Sequence, residues 1–462
     1  MKFYNTLTRT KEEFSTLDGS KTVRMYSCGP TVYSYAHIGN MRTYVFMDLL
    51  RRTLQYEGYK IKGVMNVTDV GHLLSDGDDG EDKMQKAAEE QKKSPYEIAE
   101  FYAKVFFEDL KKLNIERPEV TPKATDHIGI MLDFVKALVE KGYGYETSDG
   151  IYFDISKAAD YGKLSGAKLD EQQAGARVEV NGEKRHPADF ALWKKAPKEH
   201  IMQWESPWGM SYPGWHIECS AMSRKYLGDR FDIHTGGVDH IPIHHENEIA
   251  QSEALTGQIP ARFWMHGEFM LVNGGKMSKS LKNTYTISQL AEMGYRPMDF
   301  RYFCLNAHYR KKLNFTFEGM DAAKVSYDRL LRQVAAHKGA NGDISDEVME
   351  EYKKQFREAI EDDLNVPQAL GVLWTMLKLP ASDKVYKTAL DFDRVFALSL
   401  DKAEKQEEKV ESPAEIVALA EKMQAARAQK NYAEADALRA EIDAAGYMVA
   451  NTKDGYTLKP KK

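Results

Sequence analysis

The chain has 462 residues, 42% of them hydrophobic, which is length and apolar content for about two to four units with separate cores. A net charge of −6 excludes a protein that coats nucleic acid indiscriminately, while leaving room for a local basic face that meets one folded RNA. The opening MKFYNTLTRTKEEF has no apolar signal core and no stretch approaches the roughly 18 apolar residues that span a bilayer, so a cytoplasmic protein without a membrane partner is expected. Cys28, Cys219 and Cys304 are odd in number and far apart, which in a reducing compartment points to metal ligation or burial rather than disulfides.

Residues 22–67 read as a βαβ unit: strand TVRMYS, a helix from Gly39 to Glu57 stopped by Gly58, then strand YKIKGVMNV. The helix carries Val45, Leu49 and Thr53 beside Phe46, Leu50 and Leu54, two adjacent rows that belong against a sheet. Such a unit is the first half of a doubly wound nucleotide fold. The stretch 69–92 is acidic, glycine-interrupted and poor in apolar residues, and is expected to be a surface segment leading into a helix over 96–113. From 118 to 198 the pattern is mixed, with a helix near 126–141 and strands GIYFDI and ADFALWK, as an insertion would be. A second α/β block follows: FDIH as strand, HHENEIAQSEAL as helix, RFWMHGEFMLV as strand. Helical periodicity takes over at 318–400, where Val348, Tyr352, Phe356 and Ile360 form a stripe and Asn365-Val366-Pro367 restarts a helix. Residues 401–412 have the composition of a solvated linker. Two short helices, 413–429 and 432–445, and a hairpin-like YMVANTKDGYTL complete a tail.

His37-Ile38-Gly39-Asn40 sits where the first helix begins, so its backbone N–H groups and dipole favour a phosphate, and His37 can donate to one. Lys276 and Lys279, in Lys276-Met277-Ser278-Lys279-Ser280 after Asn273-Gly274-Gly275, bring positive charge suited to a departing pyrophosphate. His244 and Glu248 are four apart on one helix and share a face; with Cys28 and Cys219 they make a tetrahedral zinc set. His245, Glu246 and Glu253 are rival ligands on the same helix, and spacing does not rank them. Cys304 reads as core, His234 and His240 as pocket or simply hydrogen-bonded residues, and the acid run 76–82 as a solvated face without EF-hand spacing.

With CGPTVYSYAHIGN, NVTD, GWHIECSAM, HHENEIAQSEA and KMSKS in this order, the chain resembles bacterial cysteinyl-tRNA synthetases, of the class I aminoacyl-tRNA synthetases. The resemblance implies an α/β, Rossmann-like, doubly wound parallel sheet split by an insertion, then a helical bundle and a small α+β tail. The implied division is 1–117 and 199–317 for the catalytic halves, 118–198 for the connective insertion, 318–400 for a tRNA-contacting bundle, 401–412 for a linker and 413–462 for an anticodon-binding tail. It implies zinc on Cys28, Cys219, His244 and Glu248, ATP with Mg2+ near His37, Gly39, Asn40, Gly237, Asp239 and Lys279, and a substrate pocket including Thr68 and Trp215. The implied reaction is cysteine–tRNA ligation by a monomer, from ATP, L-cysteine and tRNA-Cys, with His37, Asn40, Lys276 and Lys279 in catalytic roles. Departures from the family pattern are Asn40 in place of a final histidine, Pro242 one place early before the His-His pair, and Asp69-Val70-Gly71-His72 after Thr68. Two other readings are a ligase that acylates a small amine, for which the tail is superfluous, and a zinc-stabilised RNA-binding protein, for which intact His37 and Lys279 are superfluous.

Overall fold

The computed structural model describes residues 1–70, 83–158, 160–166, 182–277, 281, 283–404, 413–452 and 455–460, and divides into two compact units, Met1–Ala403 and Glu404–Lys462. The hairpin β1 (Lys2–Asn5) and β2 (Thr10–Glu13) precedes the expected βαβ unit, β3 (Thr22–Ser27), α1 (Ile38–Tyr56) and β4 (Lys60–Met65). Both apolar rows of α1 are buried, and Gly58, at a φ of 82° that a side chain would oppose, turns the chain out of the helix.

Residues 83–91, expected within a surface segment, instead form the helix α2 (Lys83–Gln91) ahead of α3 (Pro95–Lys112). The reason is a short apolar stripe: Met84 and Ala87 are buried at helical spacing in one cluster with Ile98 and Tyr102 of α3, and Ala88 beside them is buried too. The acid run 76–82 lies outside the described residues.

The insertion contributes α4 (Ile128–Glu140) and a five-stranded antiparallel sheet of order β5-β6-β7-β9-β8, built from β5 (Gly144–Glu146), β6 (Gly150–Phe153), β7 (Phe190–Lys195), β8 (Trp204–Ser206) and β9 (Gly209–Pro213). The boundary expected at 198 falls inside this sheet, because β9 pairs with both β7 and β8. The chain then returns through α5 (Ile217–Leu227), β10 (Phe231–Gly237), α6 (His244–Thr256) and β11 (Ala261–Gly267).

The central sheet has the order β11-β10-β3-β4, and every pairing in it is parallel. Alternate residues serve opposite faces: Met25, Met65 and Met265 pack with Val45, Leu49 and Leu50 of α1, whereas Tyr26, Val64 and Trp264 pack with residues of α4, α5 and α6. Beyond it come β12 (Met270–Val272), β13 (Gly275–Lys276), α7 (Ile287–Glu292), α8 (Pro297–Leu305) and β14 (Leu313–Phe315).

Four helices follow, α9 (Phe317–His337), α10 (Asp346–Glu361), α11 (Val366–Met376) and α12 (Asp383–Phe396). The expected stripe on α10 is rotated, since Val348 is 39% exposed and the buried face is Met349, Phe356, Ala359 and Ile360. On that face Phe356 stacks on Phe392 of α12, with ring centroids 3.9 Å apart. The second unit has α13 (Ala414–Ala428), α14 (Tyr432–Ala444) and the hairpin β15 (Tyr447–Thr452) and β16 (Gly455–Pro460) around Ala420, Met423, Ile442 and Val449. Asn431 caps α14, its side-chain oxygen accepting from Glu434 N at 3.4 Å.

A buried ion pair ties the bundle to α1. Arg301 on α8 donates to Asp48 Oδ2 at 2.6 Å, to Leu113 O at 2.8 Å and to Phe396 O at 2.7 Å, while Asp48 Oδ1 accepts from Glu116 N at 2.8 Å. Both side chains have 0% exposure. Asp48→Ala should therefore strand a buried guanidinium and cost about 3–5 kcal/mol, read as a lowered midpoint in chemical denaturation. A midpoint within error of the unaltered protein would show that the pair does not hold the bundle in place.

Candidate active site

Because β3 and β10 are parallel neighbours, their carboxyl ends open together at one edge of the sheet. Cys28 follows β3 there, its N–H donating to Thr235 O of β10 at 3.1 Å. Gly29 comes next, where a Cβ would lie 1.6 Å from Asn66 O, so only glycine permits this approach. Its N–H donates to Asn66 Oδ1 at 2.8 Å. Helix α5 carries Cys219 in its first turn, and α6 opens on His244 and presents Glu248 one turn later.

One donor atom from each of Cys28, Cys219, His244 and Glu248 lies within 4.8 Å of the others, and all four residues are buried. A second set, Cys28, His234, His245 and Glu248, meets the same limit and shares two members. His244 Nε2 is 3.1 Å from Glu248 Oε1, His234 Nε2 is 2.8 Å from Glu248 Oε2, and His245 Nε2 is 3.1 Å from Cys28 Sγ. His216 Nδ1 meets His244 Nδ1 at 3.0 Å; His245 Nδ1 meets His266 Nε2 at 2.8 Å, and His266 Nδ1 meets Thr6 Oγ1 at 2.8 Å.

Burial pushes the Glu248 carboxyl up, but the imidazoles of His234 and His244 outweigh it and bring the group down to about 2. Burial likewise opposes the charged form of His244, yet Cys219 and Glu248 raise it to about 10. The two thiols part company: burial and the hydrogen bond with Cys219 drive Cys28 well up, whereas that bond and His244 overcome burial to bring Cys219 down to about 7. Burial, then the neighbouring imidazoles, hold His245 and His266 well below the usual histidine range. The ion-pair partners of Glu248 among the described residues are the imidazoles of His234, His244 and His245, and Cys28 Sγ donates to its Oε1 at 4.0 Å. Two thiols, an imidazole and a carboxylate are the donor chemistry of a borderline-soft divalent ion.

From Cys28 a cleft of about 560 Å³ runs past His37, Asn40, Gly237 and Asp239 to Met277 and Thr284. At the start of α1 the His37 Nδ1 accepts from Asn40 N at 3.2 Å, and Asn40 Oδ1 accepts from His37 N at 3.1 Å, a reciprocal cap. With Nδ1 accepting, the neutral ring carries its proton on Nε2, the tautomer that donates. At Gly39 a Cβ would stand 3.0 Å from the His37 ring and 3.4 Å from Met277 Sδ. Ile38 N donates to Tyr285 O at 2.8 Å, which ties this helix start to the chain following the lysine loop. Lys276 is exposed on β13, beyond a two-residue turn with Asn273 and Gly274 at φ of 49° and 77°; Lys279 lies outside the described residues. Gly237 ends β10, where a Cβ would lie 2.3 Å from Asp239 Oδ1.

The family described as tRNA synthetases class I (C) catalytic domain matches residues 14–325. The cysteine–tRNA ligase of Treponema denticola is 42% identical, with 99% of each chain covered. Cysteine–tRNA ligase 1 of Burkholderia lata is 44% identical over 99% of this chain and 96% of its own. The chain belongs to the cysteine–tRNA ligase family. That makes it an enzyme of the class I aminoacyl-tRNA synthetases, and its fold agrees: Mycobacterium tuberculosis methionyl-tRNA synthetase in complex with methionyl-adenylate superposes with a TM-score of 0.58 at 14% identity, covering 82% of this chain and 90% of that one. No described helix is long and apolar enough to cross a membrane.

In this family member the remaining candidates divide clearly. Thr68 and Trp215 are not among the residues lining the cleft. Thr68 is buried, its hydroxyl donating to Glu218 Oε2 at 2.8 Å and accepting from Asn66 Nδ2 at 3.0 Å; the Trp215 ring stands 4.7 Å from that of His244. The rivals Glu246 and Glu253 face the insertion: Glu246 Oε2 accepts from Leu164 N at 3.1 Å and Ser165 N at 2.9 Å, and Glu253 pairs with Lys163 at 2.6 Å. Cys304 is buried in the core beside α1, as expected. His216 and His266, which hold the imidazoles of α6, went unmarked in the sequence; His216 sits inside the Gly-Trp-His-Ile-Glu-Cys motif, but a lone histidine at the end of β11 gives no signal.

Metal content measured after dialysis should separate the two donor sets. Cys219→Ser and Glu248→Ala should each lower bound divalent metal well below one per chain, whereas Glu246→Gln should retain it. Full metal in the Cys219 variant, with loss in His234→Gln, would move the site to the second set.

Proposed function

We propose that the chain activates L-cysteine with ATP and transfers it to the 3′ end of tRNA-Cys. The observation that carries this reading is that a phosphate-type helix start and a buried thiol–imidazole–carboxylate cluster open onto one cleft, joined by the eleven-residue run from Cys28 to Ile38. The named relatives, themselves cysteine–tRNA ligases, support it.

The cysteine carboxylate attacks the α-phosphate of ATP, pyrophosphate leaves, and a hydroxyl of the terminal adenosine then displaces AMP from the acyl carbon. The work of the protein is positioning and charge stabilisation, without a protein nucleophile. His37 Nε2 and the Asn40 amide donate to the nucleotide at the N-terminus of α1, Gly39 and Gly237 let the ligand approach the backbone, and Asp239 accepts from it. Lys276 and Lys279 neutralise the departing pyrophosphate, with Mg2+ held by the phosphates themselves. Thr68, bonded to Glu218, and Trp215, against the His244 ring, support the substrate pocket without lining the cleft. Cys28, Cys219, His244 and Glu248 would hold zinc, which when bound takes a sulfur as its thiolate and so favours cysteine over serine, whose hydroxyl resists ionisation. Residues 318–400 and 413–462 hold the tRNA, the tail at the anticodon.

Cysteine-dependent ATP–pyrophosphate exchange followed by charging of purified tRNA-Cys tests the proposal; no exchange with cysteine, or equal exchange with serine, would reject it. Lys279→Ala should slow exchange by on the order of 10² to 10³ with cysteine affinity nearly intact, because the lost interaction belongs to the transition state. A matching loss of cysteine affinity would assign the loop another task.

A further inference from the structure

At the outer end of the cleft, Tyr35 is 51% exposed although it belongs to the run between Cys28 and His37 that forms the cleft wall. It is not a loose side chain. Its ring meets Tyr102 at 5.0 Å and 90°, and Phe101 at 6.2 Å and 77°, and these two rings meet each other at 5.1 Å and 80°. Tyr102 is buried and anchors the group, its hydroxyl accepting from Gln91 Nε2 at 3.1 Å. Phe101 is itself 40% exposed, with Lys93 Nζ 5.3 Å from its ring centre. Three edge-to-face rings thus hold two exposed aromatic surfaces in fixed orientation, with a cation alongside, at the mouth of the site.

Exposing two large rings costs hydration free energy, and internal packing does not recover it. Under the ligase reading ATP and L-cysteine would occupy the cleft that Cys28 and His37 line. We propose that Tyr35 and Phe101 form a stacking platform for unpaired bases at the 3′ end of the tRNA. This rests on the ligase reading, under which a single-stranded, base-bearing chain end must pass these rings to reach the activated cysteine. Bases entering the cleft leave their stack, and an aromatic face restores that contact without reading sequence. The platform is a determinant of the transfer step, since activation does not involve RNA.

The test compares two rates in each variant: cysteine-dependent pyrophosphate exchange, and single-turnover transfer from preformed adenylate to tRNA-Cys. Tyr35→Ala should slow transfer by about tenfold more than it slows exchange. Phe101→Ala should shift the same ratio in the same direction, by less. Tyr35→Phe and Tyr35→Trp should restore the ratio and Tyr35→Leu should not, which separates stacking from bulk. A ratio unchanged in both alanine variants, an equal fall in both rates, or rescue by leucine as good as by phenylalanine would each overturn the platform. Failure of the unaltered protein to charge any tRNA would overturn the ligase reading and the platform with it, an outcome that no change in the ratio resembles.

Discussion

The parallel register of β3 on β10, with Met25 beside Ile233 and Ser27 beside Thr235, determines where the reactive groups of this chain stand. These strands are about two hundred residues apart in sequence, and pairing them makes Cys28 and Gly237 emerge from the same edge. The chain leaves β3 toward β4 on one side and β10 toward β11 on the other, so the crevice between them is the switch point of the sheet. That pairing brings the donor atom of Cys28, just after β3, to within 4.8 Å of those of His244 and Glu248 on a helix that begins at residue 244. The insertion's five-stranded sheet shares no strand with this parallel sheet.

The crevice holds two electrostatic regimes a few residues apart. Cys28 and its partners are buried, so their ionisation is set by one another, as the opposed shifts of Cys28 and Cys219 show. Buried anionic donors of this kind are stable only when paired or bound to a cation. His37 and Asn40 lie in the open part of the cleft and are held by a local cap instead of by burial. The cap also accounts for the asparagine at position 40: its carboxamide oxygen accepts from His37 N while its amide remains a donor. A buried set of donors thereby adjoins an open, helix-capped stretch of the same cleft.

Much of this was legible in the sequence where local pattern and tertiary role coincide. The βαβ unit, the start of α6 at His244 and the restart of a helix after Asn365 follow from strand runs, caps and proline, and the structure has them within a residue or two. Two of the misreadings share a cause, that a short apolar stripe is visible only against its partner. Met84 and Ala87 look insignificant within an acidic segment until α3 is beside them, and the buried face of α10 packs on Phe392, farther along the chain. Spacing also left the ligand rivals unranked, because residues of one helix turn differ in direction, and direction is a property of the packing.

Helix α6 shows why hydropathy alone misses such a site. Every residue from His244 to Ser252 is buried, and seven of these nine are polar or ionisable, all but Ile249 and Ala250. No amphipathic stripe can exist on a helix whose two faces are both interior. Instead most of its polar side chains have a counterpart of their own. His244, His245 and Glu248 turn toward the Cys28 crevice, and Gln251 accepts from Ser220 at 2.6 Å beside Cys219. On the other side Glu246 holds the backbone of Leu164 and Ser165, and Asn247 accepts from Tyr161 at 2.5 Å. The same helix thus carries the donor cluster and fastens the insertion to it. Burial that would be prohibitive for any one of these groups becomes tolerable because the groups are satisfied together, which is also why the segment reads as a motif and not as a period.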